Sequence, residues 1–423
     1  MPLPPDILAS LFTDPRLPAE FAAICDCGGR LAGTESERLA LTLVARLGLE
    51  ATKVPAQILS TPYDGWQARV ASLHLVDGPA RHELTCLPLV RSAVTGPHGV
   101  EADVLLVGRG TPEEFAAAGR ALHGRFALVR HEYMFAAGHI HRRLKYAAAV
   151  KAGAAGFLIA GPLATRAVAG SSGRGDEPGI PAFGISPEAA ARLSPIAGSA
   201  RAHAMLLTAE APAETETILF DLPGETDEWV VLSAHIDGHA PAESAMDNAS
   251  GVAVALAVAR ALAPHRTRFR RGFRLALFSA EEWALTGSRV YLAGLPDHER
   301  TRMVLNVNLD SVGGGGRLTA LCSGFAGLAG FVQRATEAAG TPVATYMPLM
   351  TNSDHANFAA HGIPALRLVA GFDDPASNLR HVLTAADTRD KVSTNELRGA
   401  AVAATALTWA GLLGDDVGHD WAL

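Results

Sequence analysis

Four apolar runs stand out in the second half of the chain: WVVLSA (229–234), FRLALFS (273–279), MVLNVNL (303–309) and PALRLV (364–369). Each is almost unbroken in apolar residues, as expected of strands covered on both faces in a parallel sheet between helices. Helical spacing appears between them at Gly251–Ala263, 286–293 and 325–339, so from 214 onward the pattern is βαβ. Residues 5–50 also predict helix, with a break at Gly28-Gly29-Arg30 and renewed helical spacing from Thr34 to Leu49. Between about 80 and 211 the texture changes. Short runs at 103–107, 125–129, 156–159 and 181–185 are separated by turn residues, with one helical stretch from His139 to Ala154. Gly170–Gly179 reads as a mobile loop. The expected fold is α/β, a mostly parallel central sheet flanked by helices with an inserted β-rich accessory domain. The boundaries drawn are 1–80 and 212–423 for the first domain and 81–211 for the insertion.

Composition narrows the partners. With 48% hydrophobic and 19% charged residues over 423 positions, the chain can bury a sizeable core, which excludes global disorder. A net charge of −7 leaves no basic footprint, so nucleic acid is not an expected partner. Cys25, Cys27, Cys86 and Cys322 are too few and too scattered for a disulfide scaffold. The opening Met-Pro-Leu-Pro-Pro-Asp lacks the basic start and apolar core of a secretory leader. No apolar run reaches the length that spans a bilayer. A cytoplasmic chain without a membrane partner is expected.

The chemistry gathers at the strand ends. In open α/β sheets, ligands bind beyond the carboxyl ends of the strands. Here the first run ends in His235-Ile-Asp237, the second in Ser279-Ala-Glu281-Glu282 and the third in Asn308-Leu-Asp310. Asp247 opens the helix after the first run, and His381 follows the fourth. Singly, each has a bland explanation: Asp247 as a helix cap, the Glu pair as a solvated face, Asp310 as a turn former, His381 as a loop histidine. Together they would be coincidences at one sheet edge. Two histidines and three carboxylates make a borderline-hard set suited to two zinc ions, one carboxylate bridging, and cobalt or manganese can substitute. Of Glu281 and Glu282, one can bind metal while the other handles protons. Asp237 is spaced to orient the His235 imidazole.

The series SAHIDG, MDNASG, FSAEEWALTGS, NLDSVG, NSDHANFAAHGIPAL and RHVLTAADTRDKV, in order over 229–395, resembles the zinc aminopeptidase and glutamate carboxypeptidase family of di-zinc metallopeptidases. GGRLAGTESERLA resembles that family's opening helix, and 103–186 resembles the protease-associated domain such enzymes carry as an insertion. The resemblance implies the zinc exopeptidase fold, with one zinc on His235 and Asp310, a second on Glu282 and His381, and Asp247 bridging. It implies Glu281 as the general base that later protonates the leaving amine, and Asp237 as the supporting acid. A hydroxide shared by the metals would attack the polarised carbonyl of a peptide or small amide substrate.

Two positions depart from the pattern. Arg380 stands where family members often have a tyrosine; its guanidinium can stabilise an oxyanion or bind a substrate carboxylate, or simply face solvent. Asp387-Thr388 lies six residues beyond His381, which implies a longer closing loop. Ser353-Asp354-His355 resembles the family's substrate-side segment, while the residues alone read as a helix cap. The leading expectation is an aminopeptidase releasing N-terminal residues. A related carboxypeptidase or amidohydrolase acting on acylated or acidic dipeptides is second, and a metal-free binding module a distant third. Family members can dimerise; the oligomeric state is not legible.

Overall fold

The computed structural model describes residues 2–175, 177–194, 200–415, 417, 418 and 421. They form two compact units. One is built from the chain up to Tyr63, Glu214–Val382 and the chain from Asp387 onward; the other from Asp64–Ala213 and Leu383–Ala386.

In the smaller unit the strands are the later part of β1 (Gln57–Asp77), then β2 (Ala80–Glu83), β3 (Cys86–Pro88), β4 (Val100–Leu106), β5 (Phe126–Arg130), β6 (Gly156–Ala160), β7 (Ala182–Ile185) and the start of β8 (Arg201–Leu222). They order as β8-β4-β5-β6-β7-β3, with β4 to β7 mutually parallel and β3 and β8 antiparallel at the edges. The unit begins at Asp64 rather than at the expected 81. The reason is that β1 runs on to Asp77, pairs as a hairpin with β2 and buries Leu73 in the smaller core with Phe126, Leu158 and Phe183. The segment read as a mobile loop starts anchored: Ser171 bridges Val90, and Ser172 is buried.

The larger unit holds β9 (Trp229–His235), β10 (Gly272–Phe278), β11 (Met303–Leu309), β12 (Leu318–Leu321), β13 (Ala344–Tyr346) and β14 (Ala365–Ala370). Their order is β13-β12-β14-β11-β9-β10-β8. The central four, β14, β11, β9 and β10, are parallel. They are also the four unbroken apolar runs, buried almost throughout. Two apolar helices cover them. Ser250–Leu262 is buried at every residue but Arg260, and Thr394–Leu413 is buried from Ala400 to Leu412. Alanine-rich faces let these helices approach closely, so burial comes from fit rather than from large side chains. The stretch Ala245–Arg268 is long and apolar enough to cross a membrane by composition, yet 89% of its apolar window is packed inside this core.

Register sets the site. His235 ends β9 directly opposite Phe278 at the end of β10, and Ser233 is level with Asn308 of β11. The residues just beyond each strand therefore emerge together at one edge.

Candidate metal centre

His235 is the hub. Its Nδ1 donates to the backbone carbonyl of Asp237 at 3.1 Å, which leaves Nε2 turned toward Oδ1 of Asp247 at 3.2 Å and Oδ1 of Asp310 at 3.6 Å. Asp237 also braces the neighbouring strand end. Its Oδ1 accepts the amide of Glu281 and its Oδ2 the amide of Glu282, both at 3.1 Å. A single residue thus fixes the histidine, through its carbonyl, and the Glu-Glu turn, through its carboxylate. Among the described residues, one group of potential ligands lies within 4.8 Å of one another: His235, Glu281 and Asp310.

Asp247 sits in an irregular turn before the helix Ser250–Leu262 and is joined to Asn248 by a cis peptide bond. It does not cap that helix, as its backbone is bent away from helical angles. Its position is set by Asp387, whose carboxylate accepts the amides of Met246 at 2.8 Å and Asp247 at 3.3 Å. Burial pushes the Asp387 carboxyl up to about 7. Asp354 stands at the N-cap of the following helix, His355–Ala360, but its side chain makes no cap bond there. Ser353 Oγ accepts from Asn308 Nδ2 at 2.8 Å, and Asp354 accepts the hydroxyl of Ser288 at 2.5 Å. Both look inward, into the polar layer beneath the strand ends.

Electrostatics single out the same place. Asp237, Asp247, Glu281, Glu282 and Asp310 are all buried. Burial raises the Glu281 carboxyl well above the ordinary range, and Glu282, Asp354 and Asp310 add to the effect against His235. For Asp310 burial acts upward too, but Arg367 at 3.2 Å and His235 hold it below the usual carboxylate range. Burial would lower His235, yet the carboxylates around it push it well above its ordinary value. So much buried acid around one imidazole needs compensating positive charge. The oxygen and imidazole donors suit a divalent transition metal.

Residues 217–408 match peptidase family M28, and residues 87–193 match the PA domain. Just under half of the chain is thus similar to that peptidase family. Aminopeptidase YwaD of Bacillus subtilis is 27% identical over 297 residues, 68% of this chain and 59% of that protein. Leucine aminopeptidase 2 of Trichophyton equinum is 28% identical over 149 residues, 34% of this chain, and the match spans only 30% of that enzyme's length. The solved structure of BSAP, a zinc aminopeptidase from Bacillus subtilis, superposes with a TM-score of 0.74 at 22% identity, covering 96% of this chain and 98% of that one. The fold is the same. The PA domain precedes the M28 match and interrupts the unit to which the N-terminal helices belong.

Within residues 217–408, His235, Asp247, Glu281 and Asp310 come together beyond the strand ends. Glu282 turns to His239, whose Nε2 lies 2.6 Å from its Oε2. His381 is half-buried on the short turn Asn378–His381, and Arg380 beside it is exposed, donating to the carbonyl of Ala376. Arg380 is thus engaged with its own turn. His239, Arg367, Glu37 and Arg30 join the surroundings of the site without belonging to any of the strand-end motifs. Arg367 carried a signal, being a charge inside the apolar run PALRLV. Glu37 lies in the first turn of the helix Glu35–Thr52, where Thr34 accepts its amide. Its carboxylate nonetheless turns inward, accepting from Thr215 at 2.5 Å and from Ser279 at the end of β10.

Proposed function

We propose that the chain is a metal-dependent aminopeptidase that hydrolyses N-terminal residues from peptides at this centre. The observation that carries the reading is the His235 imidazole facing Asp247 and Asp310 in a buried, acid-rich pocket. In this reading His235 and Asp310 would hold one zinc, Glu282 and His381 a second, and Asp247 would serve both; cobalt or manganese could replace zinc in such a set. What bound zinc supplies is Lewis acidity, which polarises a carbonyl and eases deprotonation of water.

The chain's own groups do the rest. Asp237 keeps the imidazole tautomer in place through the Nδ1 contact, so that Nε2 presents its lone pair. Glu281, held by Asp237 through its amide, has a carboxylate whose raised affinity for protons suits a general base. It accepts the proton of the attacking water and returns it to the leaving amine. Asp387 holds the Asp247 turn through two amides.

Elemental analysis joined to a substrate panel tests this. Wild type is expected to carry about two zinc ions per chain and to cleave peptides with free N-termini but not N-acetylated ones. Asp247→Ala is expected to lose metal and turnover together, and Glu281→Gln to keep metal while losing at least about 100-fold in kcat. Activity confined to blocked or acidic dipeptides would move the assignment to an amidohydrolase or carboxypeptidase. A metal-free, inactive chain after zinc is added back would end the reading.

A further inference from the structure

The N-terminal turn at Gly28-Gly29-Arg30 does more than break two helices. Arg30 is completely buried, with a left-handed backbone (φ 55°), and makes no direct ion pair among the described residues. Its guanidinium is spent on backbone carbonyls. Nε donates to Ile236 O at 2.8 Å, Nη1 to Glu243 O at 2.6 Å and Gly28 O at 2.7 Å, and Nη2 to Ser244 O at 2.8 Å. Ile236 lies between His235 and Asp237; Glu243 and Ser244 lead into the Asp247 turn. One planar fork therefore holds both arms of the loop 236–244, which joins the strand-end ligand to the bridging one.

The backbone around it is built for this contact. Arg30 N donates to Ser36 Oγ at 2.6 Å, and Gly238 N to Arg30 O at 3.4 Å, which ties the turn to the loop it grips. A side chain at Gly29 would meet His239 O at 2.4 Å, so only glycine allows this approach. Lysine cannot reproduce the arrangement, because a single ammonium lacks the flat, divergent donors that reach both arms at once. Without Arg30 those carbonyls would be buried and unsatisfied, and the loop would be free to change the distance between His235 and Asp247.

We propose that Arg30 is a positioning residue of the metal centre, buckling the loop 236–244 so that His235 and Asp247 stand at ligand spacing. This rests on the metal reading above. It extends that reading to a residue in a separate N-terminal segment that touches no ligand side chain.

The test uses the full chain stripped of metal, with zinc affinity read by competition with a chromophoric chelator and apo-protein melting followed in parallel. Arg30→Lys is expected to bind zinc about 10–100-fold more weakly, the range typical of losing a group that orients metal ligands. Its apo melting temperature is expected to fall only modestly. Arg30→Ala is expected to lose more affinity and to recover part of it in millimolar methylguanidinium, which a purely structural defect would not do. Val44→Ala, which thins the core helix Glu35–Thr52 where Val44 is fully buried, serves as the comparator: destabilised, with zinc affinity unchanged. Wild-type affinity in Arg30→Lys, or a loss that merely tracks melting temperature as in the comparator, would overturn the proposal. Failure of the wild-type chain to bind zinc would instead bring down the metal reading, and this inference with it.

Discussion

Asp237 shows how much of the site turns on one residue. Its two oxygens each accept a backbone amide, those of Glu281 and Glu282, while its carbonyl accepts the His235 Nδ1 proton. An asparagine has the same shape but must aim an N–H at one of those amides. Asp237→Asn is therefore expected to keep the fold, loosen the Glu281-Glu282 turn and lower kcat/KM and zinc affinity by about 10–100-fold. Steady-state kinetics with a zinc titration on the same preparation measure both; unchanged values would mean the turn is held by other contacts. The residues that explain themselves only in three dimensions belong here as well. Arg367 carries a charge within a buried strand because Asp310 needs a partner 3.2 Å away. Glu37 lies in the first turn of the helix Glu35–Thr52 and accepts from Ser279, two residues before the proposed base.

At the scale of elements, the long apolar strands and the alanine-rich helices build a sheet edge whose four parallel ends are level. The smaller unit has a different vulnerability, one of charge. Burial, helped by Arg142 and Lys145, pushes His131 down to about 3, and burial with Arg142 and Arg143 holds His141 well below its ordinary value of 6.5. Both rings are neutral in the folded unit at mildly acidic pH. Unfolding frees them to titrate near 6.5, so as pH falls below that value the unfolded chain binds protons the folded one refuses. The stability of the smaller unit is expected to drop as pH falls below about 6.5, continuing for His131 to about 3, by up to roughly 1.4 kcal/mol per pH unit for each histidine held neutral. Urea titrations across this range, repeated on His131→Asn and His141→Asn, measure it. Variants with the same pH slope as wild type would assign the loss to other groups.

For the whole molecule, two units with separate cores and a metal centre confined to one of them predict an uneven response to chelation. Zinc bound to the folded state alone stabilises by about 2.7 kcal/mol at a free concentration 100 times its dissociation constant. Calorimetry is expected to show EDTA lowering the transition of the larger unit and leaving that of the smaller unit in place; an equal shift of both would contradict it. The amino-acid sequence alone determined the α/β class, the four core strands and the placement of His235, Glu281, Glu282 and Asp310 at their ends. Those are local facts, written in apolar runs and in the residues that end them. Only the tertiary structure decided that β1 carries the smaller unit back to Asp64, that the side chains of Ser353 and Asp354 face inward rather than cap a helix, and that Arg30, Glu37, His239 and Arg367 support the site. These depend on partners up to 242 positions away, as between Glu37 and Ser279, and on buried charges whose compensation no local pattern records.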